Sequence, residues 1–61
     1  MVKIVPGNDR LNIYDGNVIV GYVEGETLFG IDKDGYAEEI GRIDHQNEIK
    51  QRLNEWRNRP N

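Results

Sequence analysis

Over the first 43 positions, short apolar runs alternate with clusters of turn formers. Val2–Val5 is followed by Pro6-Gly7-Asn8-Asp9, Leu11–Tyr14 by Asp15-Gly16, and Val18–Val23 by Glu24-Gly25. Thr27–Ile31 is followed by Asp32-Lys33-Asp34-Gly35, and a fifth run covers Tyr36–Ile43. Runs of this length, bounded by Gly, Asn, Asp and Pro, predict five strands joined by tight turns. Asp-Gly is a strong hairpin signal, because its backbone tolerates positive φ. In the third run Val18, Val20 and Tyr22 share one parity and Ile19 and Val23 the other, so both faces are apolar and the strand is expected at the centre. In the fourth, Thr27, Phe29 and Ile31 alternate against Leu28. Ile40 and Ile43 have opposite parity, which places a bulge or bend at Gly41. Gly21 and Gly30 also fall inside strands, where glycine serves tight coiling or the close approach of another part of the chain.

The period then changes. Ile49, Leu53 and Trp56 stand at i, i+4 and i+7, one face of a helix predicted over 45–58. Asp44 is the expected N-cap, and Pro60 the expected stop. Glu48–Arg52 and Glu55–Arg59 are i, i+4 pairs in the favourable order. Arg57 and Arg59 suit the negative end of the helix dipole. An apolar stripe of three residues needs a surface to cover, and the sheet provides it. Burial of Ile49, Leu53 and Trp56 is worth about 1.5–3 kcal/mol each, decisive in a small domain of about 5 kcal/mol total stability. The expected fold is therefore α+β: a curled antiparallel five-stranded meander, or SH3-like partial barrel, with one C-terminal helix in a single domain over 1–61.

Composition narrows the chemistry. The 61 residues hold no cysteine, no serine, one threonine (Thr27) and one histidine (His45). Serine and cysteine nucleophiles are excluded, and one histidine argues against a transition-metal site. A domain this small has little depth for a water-excluded pocket, so a non-catalytic role without cofactor or metal is expected. No apolar run approaches the roughly 18 residues of a membrane span, and the N-terminal stretch lacks the form of a signal peptide. Met1 reads as the start of a complete small gene product, and a cytoplasmic location is the expectation.

Net charge is −3 and unevenly placed. Residues 1–44 carry nine acids against four bases, a net of −5, and residues 45–61 carry four bases against two acids, a net of +2. An acidic body is a poor match for phosphate and a better one for a basic protein surface. Acids also keep a small sheet soluble and block edge pairing.

Two stretches superpose: Ile13-Tyr14-Asp15-Gly16-Asn17-Val18-Ile19-Val20-Gly21-Tyr22-Val23, and Ile31-Asp32-Lys33-Asp34-Gly35-Tyr36-Ala37-Glu38-Glu39-Ile40-Gly41-Arg42-Ile43. Each runs from an apolar residue through an Asp-Gly turn and a strand to a glycine and a closing apolar residue. Together they resemble the short β-hairpin repeats of β-flower-like bacterial proteins. The resemblance covers about half the chain and implies hairpin architecture without a defined activity. Five strands followed by a helix also resemble the element order of SH3-like archaeal chromatin proteins. Those are lysine-rich and strongly basic, whereas this chain is acidic with three lysines, so DNA binding does not carry over.

Several segments match known kinds of site only in part. Asp32-Lys33-Asp34-Gly35 resembles part of a calcium loop, but EF-hand spacing puts Gly30 and Gly41 at the first and last ligand positions, where neither offers a side chain. Gly7-Asn8-Asp9-Arg10 lacks the Gly-Lys-Ser/Thr ending of a phosphate loop. His45 beside Asp44 reads as a first-turn residue beside a cap rather than a catalytic dyad. The favoured binding residues are Tyr14, Tyr22 and Tyr36 with Glu24, Glu38 and Glu39, an aromatic and acidic set suited to a basic protein partner. Arg42, Arg52, Arg57 and Arg59, with Trp56, form the alternative nucleic-acid set. Small acidic domains of this sort resemble phage and mobile-element products that inhibit host nucleic-acid enzymes. A third expectation is a homo-oligomer formed through exposed sheet edges.

Overall fold

The structure, a computed structural model, describes residues 1–59. Its elements in chain order are β1 (Val2–Pro6), β2 (Leu11–Asp15), β3 (Val18–Glu24), β4 (Thr27–Ile31) and β5 (Ala37–Arg42). A 3-10 turn (Gln46–Glu48) then leads into α1 (Ile49–Arg57). The strands pair antiparallel in the order β1-β2-β3-β4-β5, with β3 in the middle. This is an α+β layout, a five-stranded antiparallel meander with one C-terminal helix. β1 and β5 do not pair with each other, so the sheet stays open and does not close into a barrel.

The two-residue turns form where expected. Gly16 takes φ +65° and Gly25 φ +63°, a region that residues with a Cβ rarely enter. The longer β4–β5 turn is held by Asp32, whose Oδ1 accepts the backbone N–H groups of Asp34 and Tyr36, each at 2.9 Å. That carboxylate is engaged within the turn, so the segment works as an Asx-type turn.

Two bulges set the side-chain parity. In β5, Gly41 faces Leu28 and Glu39 faces Phe29, so Ile40 is the extra residue, beside the glycine that marked the bulge in the sequence. The second bulge has no such marker: Ile13 faces Gly21 and Tyr14 faces Ile19, leaving Val20 as the extra residue of β3. The bulge corrects the expected faces of this strand. Val20 and Val23 are both buried in the core, while Tyr22 points to the opposite face and Val18 is 65% exposed.

One face of the sheet carries the core. Ile13 and Leu28 are fully buried, and Val20, Val23 and Ile43 nearly so, together with Ile49 and Leu53 of the helix. Trp56 lies partly buried against them. The helix comes this close because Gly21 and Gly30, paired across β3 and β4, offer no side chain. A Cβ on Gly30 would stand 2.5 Å from the Trp56 ring, and one on Gly21 would meet Leu53 at 3.2 Å and the Phe29 carbonyl oxygen at 2.7 Å. The strand glycines therefore form a shallow seat for Leu53 and Trp56.

The helix start differs from expectation. The span predicted as helix from 45 opens instead as the 3-10 turn, whose N-cap is His45, not Asp44, with the Glu48 carboxylate accepting the His45 backbone N–H at 3.0 Å; α1 itself starts at Ile49, with Glu48 at its N-cap. Asp44 instead faces Arg42 at 3.5 Å. Pro60, the expected stop, lies outside the described residues. No helix among the described residues is long and apolar enough to cross a membrane.

Candidate functional site

The face of the sheet away from α1 is built by alternation from the buried row. Ile13 points to the core, so Asn12 and Tyr14 point outward. Tyr22 shares that outer face and pairs across the ladder with Phe29. Their rings stack with centroids 4.8 Å apart and planes 18° from parallel, the offset geometry that aromatic pairs favour. The Arg10 guanidinium lies 4.2 Å from the Tyr22 centroid. Its Nε donates to Asn12 Oδ1 at 3.0 Å, which fixes the plane of the group. The result is a row of flat groups, Arg10, Tyr22 and Phe29, with Glu39 opposite Phe29 on β5.

The six residues of the aromatic and acidic set do not form one site. Tyr14, Tyr22, Glu24 and Glu39 share the outer face, with both tyrosines half-buried and both acids exposed. Tyr36 stands apart in the β4–β5 turn, 73% exposed. Glu38 lies on the helix side: it pairs with Gly30 in the ladder, accepts the Trp56 indole N–H at 2.6 Å, and meets Arg59 at 3.5 Å. It belongs to the helix–sheet junction rather than to the outer face. Phe29 and Arg10 are outer-face members absent from the set that the sequence suggests. The alternation of Phe29 against Leu28 is a usable signal for the first, but the stacking of Arg10 depends on ladder register.

No protein-family model, curated protein or solved structure matches the chain.

The four arginines serve the junction too. Arg42 pairs with Glu26 at 2.9 Å, and Arg52 Nη1 donates to the Arg42 carbonyl at 3.3 Å. Arg57 pairs with Asp15 at 3.2 Å, and Arg59 lies over the Trp56 ring at 4.4 Å while donating to its carbonyl at 3.1 Å. The expected partners Glu48 and Glu55 are not used by these arginines among the described residues. Helical i, i+4 geometry loses to sheet groups, the Arg42 carbonyl for Arg52 and the Glu38 carboxylate for Arg59. Arg42 and Arg52 meet near the start of the helix, and Arg57 and Arg59 at its end, so the four do not make one patch.

Asp15 joins two cations. It accepts from the Met1 ammonium at 3.1 Å and from Arg57. The hydrogen bond from the ammonium, then that from Arg57, hold its carboxyl below the usual carboxylate range. These ion pairs are exposed, so each contributes little alone. Together they fix the β2–β3 turn, the chain start and the helix end relative to one another. At the other end of the helix, His45, Asp44 and Glu26 border a shallow cleft of about 300 Å³ over Leu11 and Ile49. Its aspartate is turned to Arg42, so no Asp–His pair is set up there.

Proposed function

We propose that the protein is a non-catalytic, cytoplasmic protein-binding module that docks the outer face of its sheet on a basic partner surface. The carrying observation is the Arg10–Tyr22–Phe29 row on that face, flanked by Tyr14, Glu24 and Glu39. Half-buried aromatic groups are rigid and lose little entropy when covered, as suits interface anchors. Bordering carboxylates favour a cationic partner and speed encounter with it. The placement of the arginines supports the same choice: Arg42 and Arg52 stand near the start of the helix and Arg57 and Arg59 at its end, whereas a phosphate backbone calls for one continuous cluster of cations. A regulator or inhibitor of a nucleic-acid-handling protein, of the kind phage and mobile elements make, is the role this chemistry fits best.

Capture from cell lysate with the wild-type protein and with Glu24→Lys/Glu39→Lys tests the proposal. Binding to a protein of basic surface should weaken with salt and be lost in the double variant. Equal recovery by both forms refutes it. Micromolar binding to DNA or RNA in fluorescence anisotropy, falling steeply with salt, would instead favour the nucleic-acid reading. A dimer mass in light scattering, unaffected by the double variant, would favour pairing through the open edges of β1 or β5.

A further inference from the structure

Between β3 and β4 the sheet is split at one end. Ladder pairing runs from Glu24↔Thr27 to Gly21↔Gly30 and stops there. Beyond the glycines, Val18 stays with β2 and Ile31 with β5. The bulge at Val20 falls at the point of divergence. The C-terminal end of α1 lies over the gap and leaves an open cleft of about 420 Å³. That volume falls within the roughly 300–1,000 Å³ of small-molecule sites.

Val18, Ile31 and Trp56 contribute to its apolar lining, beside a polar share nearly as large. Val18 is 65% exposed, although it sits in a strand beside the core. The rim carries Lys33, Arg57 and Arg59. Their donors exceed their present uses. Arg57 gives one N–H to Asp15, and Arg59 uses one nitrogen on the Trp56 carbonyl and another on Glu38. A guanidinium has five N–H groups, so several remain on each. Lys33 has no ion pair among the described residues. Asp32 also borders the cleft, but its Oδ1 already accepts two backbone N–H groups of its own turn.

We infer that this cleft binds a small apolar carboxylate. The hydrocarbon part covers Val18, Ile31 and Trp56, and the carboxylate takes the free donors of Lys33, Arg57 and Arg59. Charge-assisted hydrogen bonds of this kind are about twice as strong as neutral ones, so the carboxylate sets the preference and the apolar wall the affinity. The cleft is separate from the outer sheet face and goes beyond the binding role proposed above.

The probe is 4-phenylbutyrate, titrated into the ¹⁵N-labelled 61-residue chain and followed by NMR. Its neutral isostere 4-phenylbutanamide is the control. Saturable shifts should centre on Val18, Ile31 to Lys33 and Trp56 to Arg59. The amide should bind about tenfold more weakly, from the loss of a charged hydrogen-bond acceptor. Lys33→Gln should weaken the carboxylate by about twofold to fivefold, the range for an exposed charge pair. Val18→Asp, which places a like charge on the cleft wall, should abolish binding. Both substituted side chains are exposed, so the rest of the spectrum should stay unchanged. Absence of saturable shifts, equal binding of acid and amide, or shifts confined to the outer sheet face would overturn the assignment.

Discussion

Replacing Gly30 by alanine tests how the helix is seated. An added Cβ would stand 2.5, 2.6 and 2.8 Å from three carbons of the Trp56 six-membered ring. Contacts that short cannot persist, and the ring has little freedom to yield. Its Nε1 is held by Glu38 at 2.6 Å, and Arg59 covers the ring at 4.4 Å. Relief requires a shift of α1 away from β4, which also loosens Leu53 over Gly21. Overpacking of this kind costs about 1–3 kcal/mol, partly offset by about 0.4–1 kcal/mol because alanine restricts the unfolded chain more than glycine. The net expectation is a loss of about 0.5–2 kcal/mol. In a domain of this size that lowers the melting temperature by roughly 2–16 °C. Urea and thermal unfolding followed by circular dichroism would measure it, with Trp56→Leu as the second arm. In the Trp56→Leu background, Gly30→Ala should cost much less or become stabilising. A Gly30→Ala protein as stable as wild type, or a loss of the same size in both backgrounds, would refute the argument that the glycine exists to seat the indole.

Leu53→Ala should cost about 2–5 kcal/mol, because Leu53 is fully buried. The far-ultraviolet spectrum should then show a largely unfolded chain at 37 °C. Glu38→Ala should lose about 1 kcal/mol through the indole and Arg59 contacts and shift Trp56 emission, while Glu39→Ala should stay within about 0.5 kcal/mol. The Asp15 contribution has a defined sign. Its folded-state pKa is lowered, so the stabilisation is fully present above the ordinary carboxylate value and disappears as pH falls through the lowered one. Urea midpoints of wild type and Asp15→Asn should therefore differ at pH 7 and converge in acid.

Much of the fold was legible because its signals are local. Asp15-Gly16 and Glu24-Gly25 require a backbone that only certain residues adopt, and the spacing of Ile49, Leu53 and Trp56 fixes a helical stripe by geometry alone. Gly41 betrayed its bulge in the same way. The bulge at Val20 left no such trace, since valine is at home in a regular strand. Without it, simple alternation puts Val18 and Val20 with Tyr22 on one face. The acids were harder still. Glu38 and Glu39 are adjacent and chemically alike, and only the ladder register decides that one holds Trp56 while the other faces outward. The arginine partners failed for a related reason: sequence proximity identifies Glu48 and Glu55, but a docked helix brings Asp15 and Glu38 within reach. The cleft was invisible for want of any marker of where pairing between β3 and β4 ends.

Because each strand pairs with its immediate neighbour in sequence, the hairpins can assemble from nearby residues, and loop closure is inexpensive throughout. The helix emerges after all five strands during synthesis, yet its residues share the core with Ile13 and Leu28. A nascent chain therefore exposes a wet, sticky sheet until the helix is made, the stage at which such intermediates self-associate. Expression yield should depend on the helix face more steeply than on any strand of the outer surface.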